Sequence, residues 1–476
     1  MKIEFLVVLA LYILGGTIIA VISKRFFQKN LRDYYVGGGR LGSLLTAGTY
    51  AATTYSAFMM IGLVGLTYAT GVGALGFELL YLAATVFLLS TVGYEVWRKS
   101  KEYNWIAPSQ MLGDLYGSRS LSILVSTIYL FAMLPYLAAQ IQGLKAMFNY
   151  GGLSEDWALI ISSILVYLWI AIAGLWSVAL TDLYQGLIML ISGLAYFAWV
   201  LLVFTPSTGV SLNDVFIVLG ENGYLGLTSF WSLPVFLAYT IPWVFFAVTN
   251  PQVVVRLYMP RDEKAYRRGV FYFFIYGFLY TLIVVVVGLV VRGLALMGFI
   301  PSDLPRDSVT PWLLSRIHPL LGSLIAISVI AAAISTANSI VLAISGSLLV
   351  STNKHNGLTL ARIIDAILVV VAALIARANI GFIVDLSVLT SVILLPLAPV
   401  TITGLYINVR NKYAKTSALI AIIIGVSIAT YYAYTLGPRR AFIERVFDLP
   451  ISLVVLLSST IVLLAGVLIG KKLAPS

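Results

Sequence analysis

Apolar stretches of about 20 residues recur along nearly the whole chain, and short polar segments separate them. A helix of that length crosses the hydrocarbon core of a bilayer, whereas the strands of a membrane barrel alternate polar and apolar residues. The chain shows no such alternation. The pattern therefore predicts an all-α polytopic membrane protein with about 13 transmembrane helices, centred near residues 14, 55, 85, 134, 166, 192, 245, 281, 334, 369, 395, 424 and 460.

The composition leads to the same class of protein. Of the 476 residues, 60% are hydrophobic and 10% are charged, which leaves too little polar surface for a domain in water. The absence of cysteine excludes thiol chemistry, disulfides, Cys-based zinc sites and haem attachment. We therefore expect one transmembrane domain over residues 1–476 and no soluble domain.

The basic residues that give the chain its net charge of +11 follow the predicted membrane topology. Most Lys and Arg residues fall in every second connection, and the positive-inside rule then puts the N-terminus outside and the C-terminus in the cytoplasm of a cell-membrane protein. The charge therefore gives no indication of a nucleic-acid partner. Lys24 and Arg25 follow the first apolar run, the reverse of the charge order in a secretory signal, so we expect a retained helix at residues 4–23.

Two of the predicted helices are interrupted. The second has a small, hydroxyl-rich centre at residues 51–56, followed by Gly62 and Gly65, and the seventh contains Pro242 and Pro251. Proline removes a backbone donor and clashes with the preceding turn, so we expect a kink or a break in the seventh helix.

These two helices begin two halves of five helices each, at residues 41–205 and 230–407, and two trailing helices follow at residues 413–472. An odd number of helices makes the halves insert with opposite orientation. Interrupted helices at matching positions of two such halves indicate the binding site of a transporter. The alternative is that Gly and Pro are simply commoner in transmembrane helices.

Polar residues form a stripe on the ninth predicted helix. Ala332, Ser335, Thr336 and Ser339 stand at i, i+3, i+4 and i+7 and so share one face. A monovalent cation that enters a membrane exchanges water for other oxygens, and hydroxyls and unwound carbonyls supply them without burying an anion. The alternative is close helix packing, with each hydroxyl bonded to a carbonyl one turn earlier.

Four local patterns occur in order along the chain: DYYVGGGR at residues 33–40, SAFMMIGLVG at 56–65, GLWSVALTDLYQ at 174–185 and AAAISTANS at 331–339. Together they resemble the motifs of the sodium:solute symporters, a family that includes bacterial proline, pantothenate, sialic acid and sugar symporters. The resemblance covers essentially the entire chain. It implies an inverted five-helix repeat with one leading and two trailing helices.

The resemblance also implies a sodium site between the second and ninth helices. Ala52, Tyr55 and Ala332 would contribute backbone carbonyls. Ser335 and Thr336 would contribute hydroxyls. Sodium is then the coupling ion, and we expect no other cofactor or metal.

Some members of the family bind a second sodium ion nearer the cytoplasm. The resemblance assigns it to Asp182, Asn338 and Ser339, together with Ser335. The alternative for Asp182 is a helix N-cap or first-turn acid at the membrane surface, which its position after Thr181 would suit.

The substrate-lining candidates come from the interrupted helices and their neighbours. They are Thr54, Ser56, Glu78, Tyr136, Gln140, Trp243, Asn250 and Pro251. Trp243 and the Asn250–Pro251 pair match proline-type members, but Ala247 replaces an expected tyrosine and Thr54 an expected aspartate.

Two alternatives remain open for the other substrate candidates. Glu78 falls where sugar-transporting relatives place a hydroxyl-binding glutamate, or it is an interfacial acid at the start of a helix. Tyr136 and Gln140 complete the pocket, or they form a satisfied polar pair between helices.

We therefore expect a sodium-coupled secondary symporter that imports a small polar organic solute by alternating access, with an amino acid such as proline favoured. Alternatives are a monocarboxylate, pantothenate or a sugar as the substrate, and protons as the coupling ion. A channel would not require interrupted helices at matching positions of two halves. A membrane enzyme would need a catalytic cluster, and neither His318 nor His355 has a metal-ligand partner at helical spacing. A sensory role would need a signalling domain after the final GKKLAPS.

Overall fold

The computed structural model describes residues 2–351, 357–378, 381–446 and 448–473. His355 lies outside the described residues. Within them, ten helices are long and apolar enough to cross a membrane, and thirteen spans result if each of three bent helix pairs counts as one. The predicted all-α architecture with about 13 spans is confirmed, because each predicted centre falls in the corresponding span or at its bend.

The thirteen spans are α1 (Ile3–Ser23), α2 (Ser43–Thr54 with Phe58–Thr70), α3 (Gly73–Tyr103), α4 (Arg119–Tyr150), α5 (Glu155–Ala173), α6 (Leu175–Ser207), α7 (Leu233–Thr249 with Pro251–Tyr258), α8 (Glu263–Leu296), α9 (Pro319–Val350), α10 (Gly357–Arg377), α11 (Ile383–Leu394 with Leu397–Tyr406), α12 (Lys412–Ile443) and α13 (Ile451–Lys472). The three bent spans are α2, α7 and α11, with angles of 48°, 42° and 45° between their segments.

Short elements join the spans. The helices among them are Leu31–Val36, Gly37–Gly39, Pro108–Tyr116, Leu212–Glu221, Ser229–Trp231, Arg306–Ser308 and Val309–Leu314. Strand β1 (Arg445–Val446) pairs antiparallel with β2 (Leu449–Pro450) between α12 and α13.

The bend of α2 follows from its local sequence. The first segment ends where Tyr55 leaves helical geometry (φ −88°, ψ 90°), and the Ser56 hydroxyl accepts a hydrogen bond from the Phe58 amide at 3.1 Å, which starts the second segment. That segment begins with a wide π-helical turn at Phe58–Leu63. The small Gly65 then allows the backbone of Arg306 to approach, since a Cβ there would clash with the Arg306 carbonyl.

The bend of α7 depends on proline. Pro251 has no amide hydrogen and restricts the preceding residue, so Asn250 adopts an extended conformation (φ −81°, ψ 120°) and the first segment ends at Thr249. Pro242 lies inside the first segment, and a smaller irregularity follows at Phe245 (φ −94°, ψ 1°). The predicted interruption is therefore present, and its main bend lies at the second proline.

The ninth span forms the centre of the molecule. In its most apolar window 83% of the residues are buried, against 28% in α10 and in α13, and α9 packs against α1, α2, α4 and α6. The polar stripe of α9 therefore faces protein rather than lipid.

The basic connections meet at one end of the bundle. The Leu41 amide, just before α2, donates to the Met259 carbonyl at 3.0 Å, and the Arg261 amide, just after α7, donates to the Leu41 carbonyl at 2.9 Å. Lys101 at the end of α3 donates to the Gly39 carbonyl at 3.0 Å. The connections that sequence analysis assigned to the cytoplasm after α1, α3 and α7 thus lie together.

Candidate binding site

The hydroxyls of α9 contact the carbonyls at the bend of α2. Ser335 Oγ donates to the Ala52 carbonyl at 2.7 Å and to the Ala332 carbonyl of its own helix at 3.0 Å. Thr336 Oγ1 donates to the Thr53 carbonyl at 3.0 Å and to the Ala52 carbonyl at 3.4 Å. All five residues are completely or almost completely buried. The structure thus brings four of the five predicted sodium ligands into one group of neutral oxygens.

The helix break explains why these carbonyls are available. The last four carbonyls of a helix have no amide partner within it, and the first segment of α2 ends at Thr54. The packing alternative requires hydroxyls bonded to their own helix. Ser335 meets it in part, but both bonds of Thr336 cross to α2.

Tyr55, the fifth predicted ligand, is the residue at which α2 leaves helical geometry. Its ring lies away from α9, stacked on Phe273 of α8 with the ring centroids 5.8 Å apart. The main chain of Tyr55 is therefore at the break, whereas its side chain joins an aromatic cluster on α8.

Asp182 lies inside α6, completely buried and two turns beyond the Gly174 N-cap, so the alternative of an N-cap or first-turn acid is wrong. Its Oδ2 accepts a hydrogen bond from Thr49 Oγ1 at 2.5 Å, and Arg256 Nη2 lies 3.6 Å from the same oxygen. Arg256 also donates a short hydrogen bond to Ser339 Oγ. The structure therefore joins Asp182 and Ser339 through a guanidinium.

The side chain of Asn338 points in a different direction from that of Ser339. In the amide orientation that satisfies its neighbours, its nitrogen donates to the Val166 carbonyl of α5 at 2.6 Å and to the Ile334 carbonyl at 3.2 Å. Asn338 therefore bonds to α5 rather than to Asp182.

Sequence analysis missed Arg256. It follows three valines in the second segment of α7, only 1% of it is exposed, and it was counted with the basic residues of the next connection. A charged residue after a Pro-interrupted apolar stretch is the signal that could have found it, because ionisable groups within spans mark functional sites by default.

The substrate candidates are all buried, on α2, α3, α4 and α7. Several polar atoms among them have no hydrogen-bond partner within the described part of the chain: Thr54 Oγ1, Glu78 Oε2, the Tyr136 hydroxyl, both amide atoms of Gln140 and Trp243 Nε1. Buried polar groups normally have partners, so these atoms are available to bind a ligand. Glu78 is buried in the protein near the start of α3, and Tyr136 and Gln140 do not satisfy one another.

Trp243 brings α2, α3 and α7 together. Its ring stacks on Phe246 at a centroid distance of 4.9 Å and lies 5.1 Å from both Phe58 and Tyr81, which is one turn from Glu78. These contacts agree with both a cavity wall and simple helix packing.

Two candidates lie apart from this group. Asn250 Oδ1 accepts from Thr249 Oγ1 at 3.0 Å, and its amide nitrogen is 3.5 Å from Ser391 Oγ on α11. Pro251 adjoins it at the bend of α7. The Asn250 amide donates to the Phe246 carbonyl at 3.1 Å, and the Phe246 ring stacks on Trp243.

Carboxylates do not gather elsewhere in a way that suggests a metal centre. Within residues 2–351, 357–378, 381–446 and 448–473, no group of three or more His, Cys, Asp or Glu residues could hold a metal ion. The site is thus defined by neutral oxygens, one acid at Glu78 and the Asp182–Arg256 pair.

Comparison with solved structures shows the fold. A sodium-coupled sialic acid symporter, solved substrate-bound and outward-open, aligns with a TM-score of 0.82 and 17% identity over 100% of this chain and 99% of that chain. The shared architecture is the inverted five-helix repeat behind one leading helix, with two trailing helices. The predicted fold class is therefore confirmed.

The alignments with curated relatives cover smaller parts of this chain. The sodium/pantothenate symporter of Escherichia coli (strain K12) is 28% identical over 57% of this chain and 56% of its own length. The sodium/proline symporter of Staphylococcus aureus (strain JH9) is 24% identical over 72% of this chain and 67% of its own length. The match to the pantothenate symporter thus spans less than two thirds of that relative.

A family model covers most of the chain. The model of the sodium:solute symporter family matches residues 34–425, which include the three bent spans, the α9 stripe and Asp182. This match extends over far more than half of the sequence, so the protein is a multi-pass membrane protein and belongs to the sodium:solute symporter family.

Proposed function

We propose that this protein is a secondary symporter that uses inward-moving sodium to import a small polar organic solute by alternating access. The observation that carries the proposal is the group of neutral oxygens formed where the α9 hydroxyls face the broken end of α2. Its proposed ligands are Ala52, Tyr55, Ala332, Ser335 and Thr336. Transport needs no ATP hydrolysis and no chemical step, in keeping with a sequence that lacks a P-loop pattern.

The position of this group supports coupling. Helix α2 belongs to the first half of the predicted repeat and α9 to the second, so an ion bound by both stabilises one arrangement of the two halves. A solute bound at the same bend of α2 favours or opposes that arrangement, and the two affinities are then linked by a shared coupling free energy. The residue boundaries of the two halves remain a prediction.

The unpartnered carboxylate oxygen of Glu78 supports a particular substrate class. A buried carboxyl group favours a solute that offers an ammonium group or hydroxyls, and it provides no positive charge to pair with a solute whose only charge is negative. An amino acid such as proline is therefore favoured over a monocarboxylate or pantothenate. A sugar is the second candidate, because hydroxyl donors also satisfy Glu78.

The proposed orientation has the N-terminus outside and the C-terminus in the cytoplasm of the cell membrane. It is supported by the contacts among the basic connections at one end of the bundle.

The test is uptake into proteoliposomes from a panel of amino acids, monocarboxylates, sugars and pantothenate. Each solute is offered with an inward sodium gradient, with a proton gradient, and with neither. We expect accumulation of an amino acid with the sodium gradient alone. Uptake that ignores sodium for every solute and responds to the proton gradient would contradict the proposal.

A further inference from the structure

A polar cavity lies at the end of the bundle that carries the basic connections. Its volume is about 650 Å³, and it lies between residues 406–411 and the last turn of α13. Lys99 at the end of α3 donates to the Leu405 carbonyl at 2.9 Å, which places the cavity at this end. Arg410 and Lys471 line it with two cations, and in the described part of the chain no acidic residue lines it. The cavity therefore carries positive charge.

Two glycines of α13 allow this arrangement. Gly466 and Gly470 are four residues apart and share one face of the helix. A Cβ at Gly466 would clash with Ser417, and one at Gly470 would clash with the Asn411 amide, both on the N-terminal side of α12. Small residues at this spacing let membrane helices pack closely. The last turn of α13, with Lys471, is thereby held against the segment that contains Arg410.

The side chain of Arg410 is oriented by neutral groups. Its Nη2 donates to the Asp114 carbonyl at 3.3 Å, and its amide donates to Asn408 Oδ1 at 3.3 Å. The Asp114 carboxylate accepts a hydrogen bond from Trp105 Nε1 at 2.9 Å. The guanidinium is exposed, so it can also bind an anion from the cavity.

The lipid-facing surface of α13 leads into this cavity. Leu464, Leu468 and Lys471 stand at i, i+4 and i+7 and so share one face, and the two leucines are 43% and 60% exposed. Tyr406 is also exposed and ends α11, and tyrosine is enriched where a span meets the membrane–water interface. A ligand with an anionic head and an apolar tail would contact both surfaces.

We propose that this cavity binds the headgroup of an anionic phospholipid, with its phosphate between Arg410 and Lys471 and its acyl chains along Leu464 and Leu468. Basic pockets between helices on the cytoplasmic side of a membrane suit such headgroups. A zwitterionic lipid would bring a cation next to the two basic side chains. Free phosphate shares the charged group but lacks the apolar tail. The site is separate from the proposed sodium and solute sites and does not depend on transport.

The test is binding of radiolabelled phosphatidylglycerol to the purified full-length chain in detergent, counted per polypeptide. Each basic residue near a membrane surface contributes a factor of about five, so phosphatidylcholine with the same acyl chains should compete roughly 10- to 30-fold less well. Excess inorganic phosphate should not displace the lipid. Equal competition by phosphatidylcholine, or displacement by inorganic phosphate, would overturn the proposal.

Variants locate the bound lipid. Arg410→Gln/Lys471→Gln should lower the count by one molecule per polypeptide, whereas Arg410→Lys keeps the charge and should leave it unchanged. The matched control is Lys264→Gln/Arg268→Gln, which removes two exposed cations from the start of α8 at the same end of the bundle. This control should bind as much lipid as the unaltered protein.

An unchanged count in Arg410→Gln/Lys471→Gln, or an equal loss in both double variants, would overturn the proposal, because the lipid would then not bind at this cavity. Size-exclusion chromatography establishes whether each variant is folded. If the Arg410→Gln/Lys471→Gln protein does not fold, the competition experiment on the unaltered protein decides.

Discussion

Two neighbouring regions of α9 face the same bent helix, α2, but differ in the charge of their surroundings. Around Ser335 and Thr336 the contacts are to neutral carbonyls, and one helical turn further on Ser339 contacts a guanidinium paired with a carboxylate. The first region has oxygen dipoles and no charge, which suits the sodium ion proposed for it. The second carries its own cation. Similar hydroxyls on one face of one helix thus have different partners because of the charges that α6 and α7 contribute.

The largest expected effect concerns the charged region. Asp182→Asn leaves the Arg256 guanidinium buried without a counter-charge, and breaking such a pair costs about 3–5 kcal/mol of folding stability. The measurement is the free energy of unfolding in mild detergent. The control is Glu263→Gln, which removes the exposed pair of Arg267 and Glu263, with 2.7 Å between Nε and Oε1. Water screens this pair, so its loss should change the free energy of unfolding very little. Equal losses in the two variants would mean that the Asp182–Arg256 pair is not desolvated as described.

The next effect concerns the neutral region. Removing one hydroxyl from a buried polar site costs about 1–3 kcal/mol, so Thr336→Ala should weaken apparent sodium affinity by roughly 10- to 100-fold. By reciprocity, apparent solute affinity should fall at low sodium and recover at high sodium. Thr336→Ser keeps the oxygen and should be mild.

Ser339→Ala is the matched control for this experiment, because its hydroxyl is saturated by other partners and should matter little for sodium affinity. If Thr336→Ser is damaging and Thr336→Ala harmless, the methyl group matters rather than the hydroxyl, and no ion site lies on this stripe.

A smaller effect is expected for the solute. The ring of Trp243 lies 5.1 Å from both Phe58 and Tyr81. If the ring also contacts the solute, that contact contributes about 0.5–1.5 kcal/mol to binding. Trp243→Ala should then raise the apparent solute constant roughly 2- to 10-fold and change the sodium constant much less. Transport kinetics at saturating sodium provide the measurement. Trp105→Ala removes another buried indole, near Tyr103 and Tyr258, and controls for general loss of packing. Equal changes in both constants would assign Trp243 to helix packing.

The smallest effect is expected at Asn338. Because its amide bonds to Val166 on α5, Asn338→Ala should change sodium affinity by less than roughly twofold. Equilibrium ²²Na⁺ binding measures this. A tenfold loss of affinity would return Asn338 to the ion-binding residues.

The sequence predicted the spans and their interruptions because both depend on local properties. Length and apolarity define a transmembrane helix, and Pro251 and the residues around Ser56 break the helix through backbone effects. Helical periodicity likewise put Ser335, Thr336 and Ser339 on one face, which the structure confirms by their shared contacts with α2.

The pairing of charges could not be predicted in the same way. Asp182 and Arg256 lie on α6 and α7, far apart in sequence, and their contact depends on how the two halves pack. Asn338 is next to Ser339 in sequence, but the helix rotates it toward α5. Adjacent residues of one motif therefore contact two different helices. Position in a motif therefore did not determine the partners of each side chain.

The most direct test of the account measures two fluxes at once. Proteoliposomes take up ²²Na⁺ and the radiolabelled solute identified by the panel, and the ratio of the initial rates is determined with the membrane potential clamped. The account predicts a fixed number of sodium ions per solute molecule, with both fluxes reduced together in Thr336→Ala at low sodium. A ratio near zero, or a sodium flux that does not depend on the solute, would contradict sodium coupling.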